Sequence, residues 1–137
     1  MSEMPPRPLS PHLQIWRWHI TMFSSIMHRS TGVGATAGVI VVTAWLVCLG
    51  LGTVGHREAY DAFVMIGKSP LGLVVWFLIS LAAFVHLMGG IRHWIWDVGA
   101  ALQPKTADQL AFWTMAIGLV LTLAFWALLF ASGKVSL

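Results

Sequence analysis

Charged residues divide this chain into three long apolar runs. Residues 30–56 hold no charge, a stretch of 27 between Arg29 and Arg57. Residues 69–91 form a second run of 23, broken only by the ionisable His86. Residues 109–133 form a third run of 25, between Asp108 and Lys134. A helix needs ~20 apolar residues to cross the hydrocarbon core of a bilayer. No water is available there, so a spanning segment must satisfy its own backbone, and each run is expected to be helical. The expected spans are about 27–52, 70–97 and 109–132. Residues 12–26 are amphipathic but not apolar enough to span. Ser10 suits an N-cap and Pro11 a first helical turn, so a short interfacial helix is expected there. The fold class expected is an all-α membrane protein with three transmembrane helices and a short N-terminal interfacial helix. The expected organisation is a surface segment 1–26, an anchor domain 27–132 and a tail 133–137.

Composition agrees with this pattern. The 137 residues are 58% hydrophobic and 9% charged, with mean hydropathy +0.79. A soluble domain carries roughly a quarter charged residues. The basic residues are too sparse for a nucleic-acid surface. Cys48 is the only cysteine, which excludes an intrachain disulfide and a multi-cysteine metal site. Residues 1–11 are proline-rich, contain Glu3 and lack an apolar core, so a cleavable signal is not expected. A bacterial inner membrane is therefore expected in preference to a mitochondrial one. Three spans put Arg7, Arg17, Arg29, Arg92 and Lys105 on the N-terminal side, against Arg57, Lys68 and Lys134 on the other. Five against three favours a cytoplasmic N-terminus. Trp16, Trp18, Trp94, Trp96 and Trp113 fall at the same interface, where amphipathic rings anchor.

Candidate chemistry lies on two short stretches. An ionisable residue within a span marks a functional site, and a neutral imidazole is a common haem or metal ligand. His86, Gly90, His93 and Asp97 are spaced by four, three and four, so they share one face of the second span. Such a stripe could take a flat cofactor, with His86 on its iron and Gly90 beside its plane. His93 and Asp97 are close enough in sequence to pair at the membrane surface. A packing seam with Gly89 and Gly90 as small contact residues is the alternative. Ser25, His28, Arg29 and Gly32 are spaced to share a face at the start of the first span. A hydroxyl, an imidazole and a guanidinium there could bind a carboxylate or a quinone carbonyl. The alternative is an arginine reaching to lipid headgroups. No paired intramembrane carboxylates, nucleophile arrangement or phosphate loop is present.

Three motifs occur in order: Arg7-Pro8-Leu9-Ser10-Pro11-His12-Leu13-Gln14-Ile15, then Ser25-Ile26-Met27-His28-Arg29-Ser30-Thr31-Gly32, then His86 followed by Gly90-Ile91-Arg92-His93 and Asp97. Together they resemble the cytochrome b membrane-anchor subunit of succinate dehydrogenase, respiratory complex II. The resemblance covers the chain from Arg7 to the third span. It implies that His86 is an axial ligand to haem b, and that Ser25 and Arg29 line a ubiquinone site. It further implies that His28 and Arg29 lie near the haem propionates, with His93 and Asp97 in a supporting position. The implied partners are a second membrane anchor supplying the other axial histidine, an iron–sulfur subunit and a flavoprotein subunit. Succinate chemistry would then belong to other chains. An anchor of a related quinol:fumarate reductase, or a cofactor-free structural subunit, are the competing expectations.

Overall fold

A computed structural model describes residues 16–135 of the chain. All the regular structure among these residues is helical: α1 over Ile20–Thr53, α2 over Arg57–Gly67, α3 over Pro70–Asp97 and α4 over Pro104–Ala131. Helices α1, α3 and α4 are long and apolar enough to cross a membrane. At 1.5 Å per residue each exceeds the ~30 Å hydrocarbon thickness. The all-helical, three-span expectation is met.

The expected short interfacial helix takes a different form. Residues 16–19 are not helical, and Ile20–Ile26 run without a break into α1. Residues 12–15, like Ser10 and the motif from Arg7, lie outside the described residues. Ser24 explains the continuity: it is 3% exposed, so the helix is already packed one turn before Arg29. The third span starts at Pro104, earlier than its charge-free run, because a proline suits the first helical turn whatever follows it. Helix α2 was not anticipated. Its Ala59, Tyr60, Phe63 and Val64 are the less exposed side, while Arg57, Glu58 and Asp61 are exposed. It packs against α1 and α3 at the end of the bundle that holds Lys68 and Lys134.

Helix ends follow local rules. Ser69 caps α3, its Oγ accepting from Gly72 N at 3.1 Å, with Pro70 in the first turn. Gly99 (φ +77°) ends α3 in a left-handed residue, and Ala100 N donates back to Ile95 O at 3.1 Å.

Helix α3 is central, packed on α1 on one side and α4 on the other. Lipid tails are as apolar as leucine, so close packing and hydrogen bonds must hold such helices together. Small residues allow the approach. A Cβ at Gly34 would stand 3.0 Å from Ala82 Cβ, and one at Gly118 would stand 2.9 Å from Val85 Cα. Ala82 and Ala111 are buried, whereas Val33, Ile40, Leu71 and Leu128 face outward. The buried hydroxyls of Thr31, Thr114 and Thr122 donate to carbonyls one turn back, so none of these three is stranded. Trp126 Nε1 donates to Ser80 Oγ at 2.8 Å and ties α4 to α3.

Gly118→Ala should destabilise the bundle by about 1–3 kcal/mol, because its new methyl meets the backbone of Val85, which cannot swing aside. Gly50→Ala meets nothing within 4 Å and should leave stability unchanged or raise it. Thermal unfolding of the two variants in one detergent checks the pair; equal losses would contradict the packing of α3 on α4.

Candidate functional site

Two imidazoles meet in the seam between α1 and α3. His28 and His86 are stacked, with ring centroids 4.1 Å apart and planes 3° from parallel. Glycines make the room. A Cβ at Gly32 would stand 3.1 Å from His86 Cε1, and a Cβ at Gly89 would run into His28 Nδ1. Each histidine thus lies over the missing side chain of the opposite helix.

The hydrogen bonds fix the chemistry of His86. Its Nδ1 lies 3.1 Å from His28 O. A carbonyl can only accept, so Nδ1 carries the proton and donates. The lone pair is then on Nε2, which has no hydrogen-bond partner among the described residues. Histidines that ligate metals commonly hold the other ring N–H to a backbone carbonyl in this way. Thr31 shares its hydroxyl hydrogen between Met27 O at 2.7 Å and the same His28 O at 3.1 Å, which further fixes this turn of α1.

The face beside His86 is open. A Cβ at Gly90 would meet nothing within 4 Å. Gly89 and Gly90 therefore have opposite surroundings: Gly89 is buried under His28, and Gly90 borders free space. An apolar wall one turn from an available Nε2 suits a flat, metal-bearing ligand such as haem. The buried Nδ1 of His28 also lacks a partner, so the site holds a spare polar atom.

The rest of the two expected constellations is rearranged. Ser25, His28, Arg29 and Gly32 do not act as one group. His28 and Gly32 turn toward α3, while Arg29 faces outward and donates from Nη2 to Ser25 Oγ at 3.3 Å. A helix turns 100° between neighbouring residues, so His28 and Arg29 cannot share a direction. Thr21, Met22, Ser25, Ile26 and Arg29 line a shallow groove of about 400 Å³. His93 and Asp97 are both exposed, and they form no ion pair among the described residues. His93 instead lies 5.1 Å from His28 and edge-on to Trp96 at 5.5 Å, centroid to centroid.

Arg92 is the polar residue that spacing did not single out. It is 2% exposed, and its guanidinium carbon lies 5.0 Å from the centre of the Trp96 ring. Its Nε and Nη1 have no partner, and neither has Trp96 Nε1. The tryptophan face, rather than a carboxylate, is the contact that accommodates this cation. The i, i+4 spacing of Arg92 and Trp96 was the available signal. Both residues instead read as interface residues, Arg92 as one of the basic residues on the N-terminal side and Trp96 as part of the aromatic belt.

The match to known proteins is extensive. Residues 3–125 fit the family model described as succinate dehydrogenase/fumarate reductase transmembrane subunit. The chain is 35% identical over 103 residues to a succinate dehydrogenase cytochrome b556 subunit of Paracoccus denitrificans, covering 75% of this chain and 76% of that one. It is 30% identical over 121 residues to the cytochrome b556 subunit of Rickettsia felis, covering 88% and 90%. It is 32% identical over 126 residues to the cytochrome b560 subunit of Reclinomonas americana, covering 88% and 84%.

The contrast between the paired glycines gives a direct test. Gly89→Ala should force the His28 ring out of the seam and cost about 1–3 kcal/mol. Gly90→Ala should be close to neutral in the isolated fold. Thermal melts of the two variants decide; if Gly90→Ala is the more damaging without any ligand, the open wall is misassigned.

Proposed function

The chain belongs to the succinate dehydrogenase/fumarate reductase transmembrane subunit family, and from that premise we propose that it is the cytochrome b membrane anchor of a succinate:ubiquinone oxidoreductase. The carrying observation is the 3.1 Å contact of His86 Nδ1 with the His28 carbonyl. The His28 carbonyl holds its Nδ1–H, leaving Nε2 free at membrane depth beside the open wall of Gly90. In this reading Nε2 would hold the iron of haem b, and a histidine of a second anchor subunit would hold it too. Bound there, haem b provides a one-electron redox centre within the membrane.

The chain's own residues then have separate tasks. His86 binds iron, and the His28 carbonyl keeps its ring oriented. Gly90 lets the flat ring system approach α3. Of the two residues that the resemblance places near the propionates, Arg29 faces outward and is free to reach a carboxylate, whereas His28 Nδ1 is packed over Gly89 in the seam. Ser25 and Arg29 border the groove on the outer face of α1, where a ubiquinone carbonyl could accept from the guanidinium or the hydroxyl. His93 and Asp97 stay at the surface in a supporting position. Succinate is oxidised in a flavoprotein subunit, and an iron–sulfur subunit delivers its electrons to the quinone. Five basic residues on the N-terminal side support a cytoplasmic N-terminus, and relatives named b556 in two bacteria support a bacterial inner membrane. The relatives named above are succinate dehydrogenase subunits, which favours this direction of catalysis over fumarate reduction.

His86→Ala should abolish or strongly reduce haem in the purified complex. The measurement is the haem-to-protein ratio with the reduced-minus-oxidised spectrum. An unchanged ratio and spectrum would remove His86 as the ligand.

Arg29→Leu should slow ubiquinone reduction by about tenfold or more, and Ser25→Ala by less. A hydrogen bond from a charged donor is worth ~1.5–3 kcal/mol, against ~0.5–1.5 kcal/mol for a neutral one. Succinate oxidation with a soluble dye in the same membranes should survive in both. If dye and quinone activities fall together, these residues support assembly; if neither falls, the quinone binds elsewhere.

A further inference from the structure

The other end of the bundle carries a second site, with no histidine in it. A chamber of about 400 Å³ opens between the four helices. Trp45, Phe63, Trp76, Phe125 and Trp126 are among its walls. It adjoins a second cavity of about 310 Å³, and Lys68, Leu73 and Val135 line both. The second cavity adds Lys134, so two lysines from different segments line it. Among the described residues, no carboxylate side chain lines either cavity.

The chamber runs inward from the end of the bundle. On α3 its lining begins at Leu73 and reaches Ile79 and Ser80. That is about 10 Å of depth at 1.5 Å per residue. Its innermost polar groups are already satisfied by one another: Trp126 Nε1 donates to Ser80 Oγ, which donates to Phe77 O at 2.8 Å. A ligand in the chamber therefore needs no polar atoms there, while one at the mouth meets two positive charges. That gradient, from cationic rim to dry aromatic interior, matches one molecule with an anionic head and a hydrocarbon chain.

We propose that Lys68, Lys134 and this chamber bind one anionic phospholipid, its phosphate between the two lysines and an acyl chain among the tryptophans. Two arguments favour this occupant over a quinone. A quinone head is neutral and does not call for paired cations. Its carbonyls, if carried inward, would find Ser80 and Trp126 already engaged. The site also accounts for lysines on the side of the membrane that the charge distribution otherwise leaves poor in cations.

The test uses the assembled complex, delipidated in mild detergent and mixed with dioleoyl phosphatidylglycerol or dioleoyl phosphatidylcholine. Native mass spectrometry counts the lipids retained. The wild type should keep one more phosphatidylglycerol than phosphatidylcholine. Lys68→Gln with Lys134→Gln should weaken that retention roughly 30-fold, from the usual worth of two basic residues near a lipid surface. Arg57→Gln removes the same charge from the same end but lines neither cavity, so it should change nothing. Inorganic phosphate and glycerol phosphate at millimolar levels should not displace the lipid, because neither fills the chamber. Equal retention of the two lipids by the wild type would overturn the proposal without any variant. So would full retention by the double variant, an equal loss in Arg57→Gln, or displacement by phosphate. If the double variant does not assemble, Lys68→Arg with Lys134→Arg should retain the lipid, and its failure to do so would count against the site.

Discussion

The seam between α1 and α3 depends on a single permission: two side chains are absent where two imidazoles must fit. Gly32 and Gly89 stand at complementary heights on the facing helices, and each makes way for the histidine opposite. A methyl at either position would meet a ring at or below normal contact distance. Once the helices are this close, the carbonyl of His28 comes within reach of His86 Nδ1. Interhelical hydrogen bonds in membranes average only ~0.6 kcal/mol, so this bond contributes little to holding the bundle together. Its larger effect is on chemistry. It selects one tautomer and one ring orientation, and so decides which nitrogen can meet a metal.

The same small-residue rule works differently along α3. At Gly34–Ala82 and Gly118–Val85 it brings helices together and nothing else fits between them. At Gly90 the missing side chain leaves a gap that no part of this chain fills. The two glycines are neighbours in sequence, but 100° of helical rotation sends one into the seam and the other away from it. The two ends of the bundle differ as well. One gathers histidines and arginines near Trp96; the other gathers tryptophans below two lysines.

Much of this was legible in the residues. Gaps between charges located three spans, because a bilayer penalises charge along a whole helix and the signal is summed over some twenty positions. The ends were less legible. Charge gaps mark where lipid begins, whereas a helix can continue into polar residues beyond it, so α1 extends to Ile20 and α4, with a proline in its first turn, to Pro104. Helix α2 was overlooked because eleven residues cannot span, although Ala59, Tyr60, Phe63 and Val64 recur at helical spacing. At the site, His86 stood out because an imidazole inside a span is costly. The grouping of Ser25 with His28 and Arg29 was too coarse, because spacings of three and four allow a sector wide enough to split between two neighbours. Arg92 was hidden by its position. A cation near a helix end reads as a surface residue, and only packing shows it buried against Trp96.

The open wall at Gly90 bears on how many chains the site needs. Among the described residues, the buried apolar side chains are Ala82, Ala111 and Trp126, so one copy encloses very little. For the helices this costs nothing, since lipid covers apolar side chains as well as protein does. A flat metal-bearing ring is different. Among the described residues, the seam would offer such a group one open wall beside Gly90 and one imidazole nitrogen, Nε2 of His86. His28 cannot provide the second ligand from the far side, because its ring lies stacked against His86 on the α1 side of the same seam. In the reading proposed above, a second ligand to a group held at His86 would come from outside this seam. That requirement agrees with the family's place in a multi-subunit complex. In the same reading, the partly buried histidine beside an open glycine in the middle of a membrane span has its missing wall supplied by the assembly.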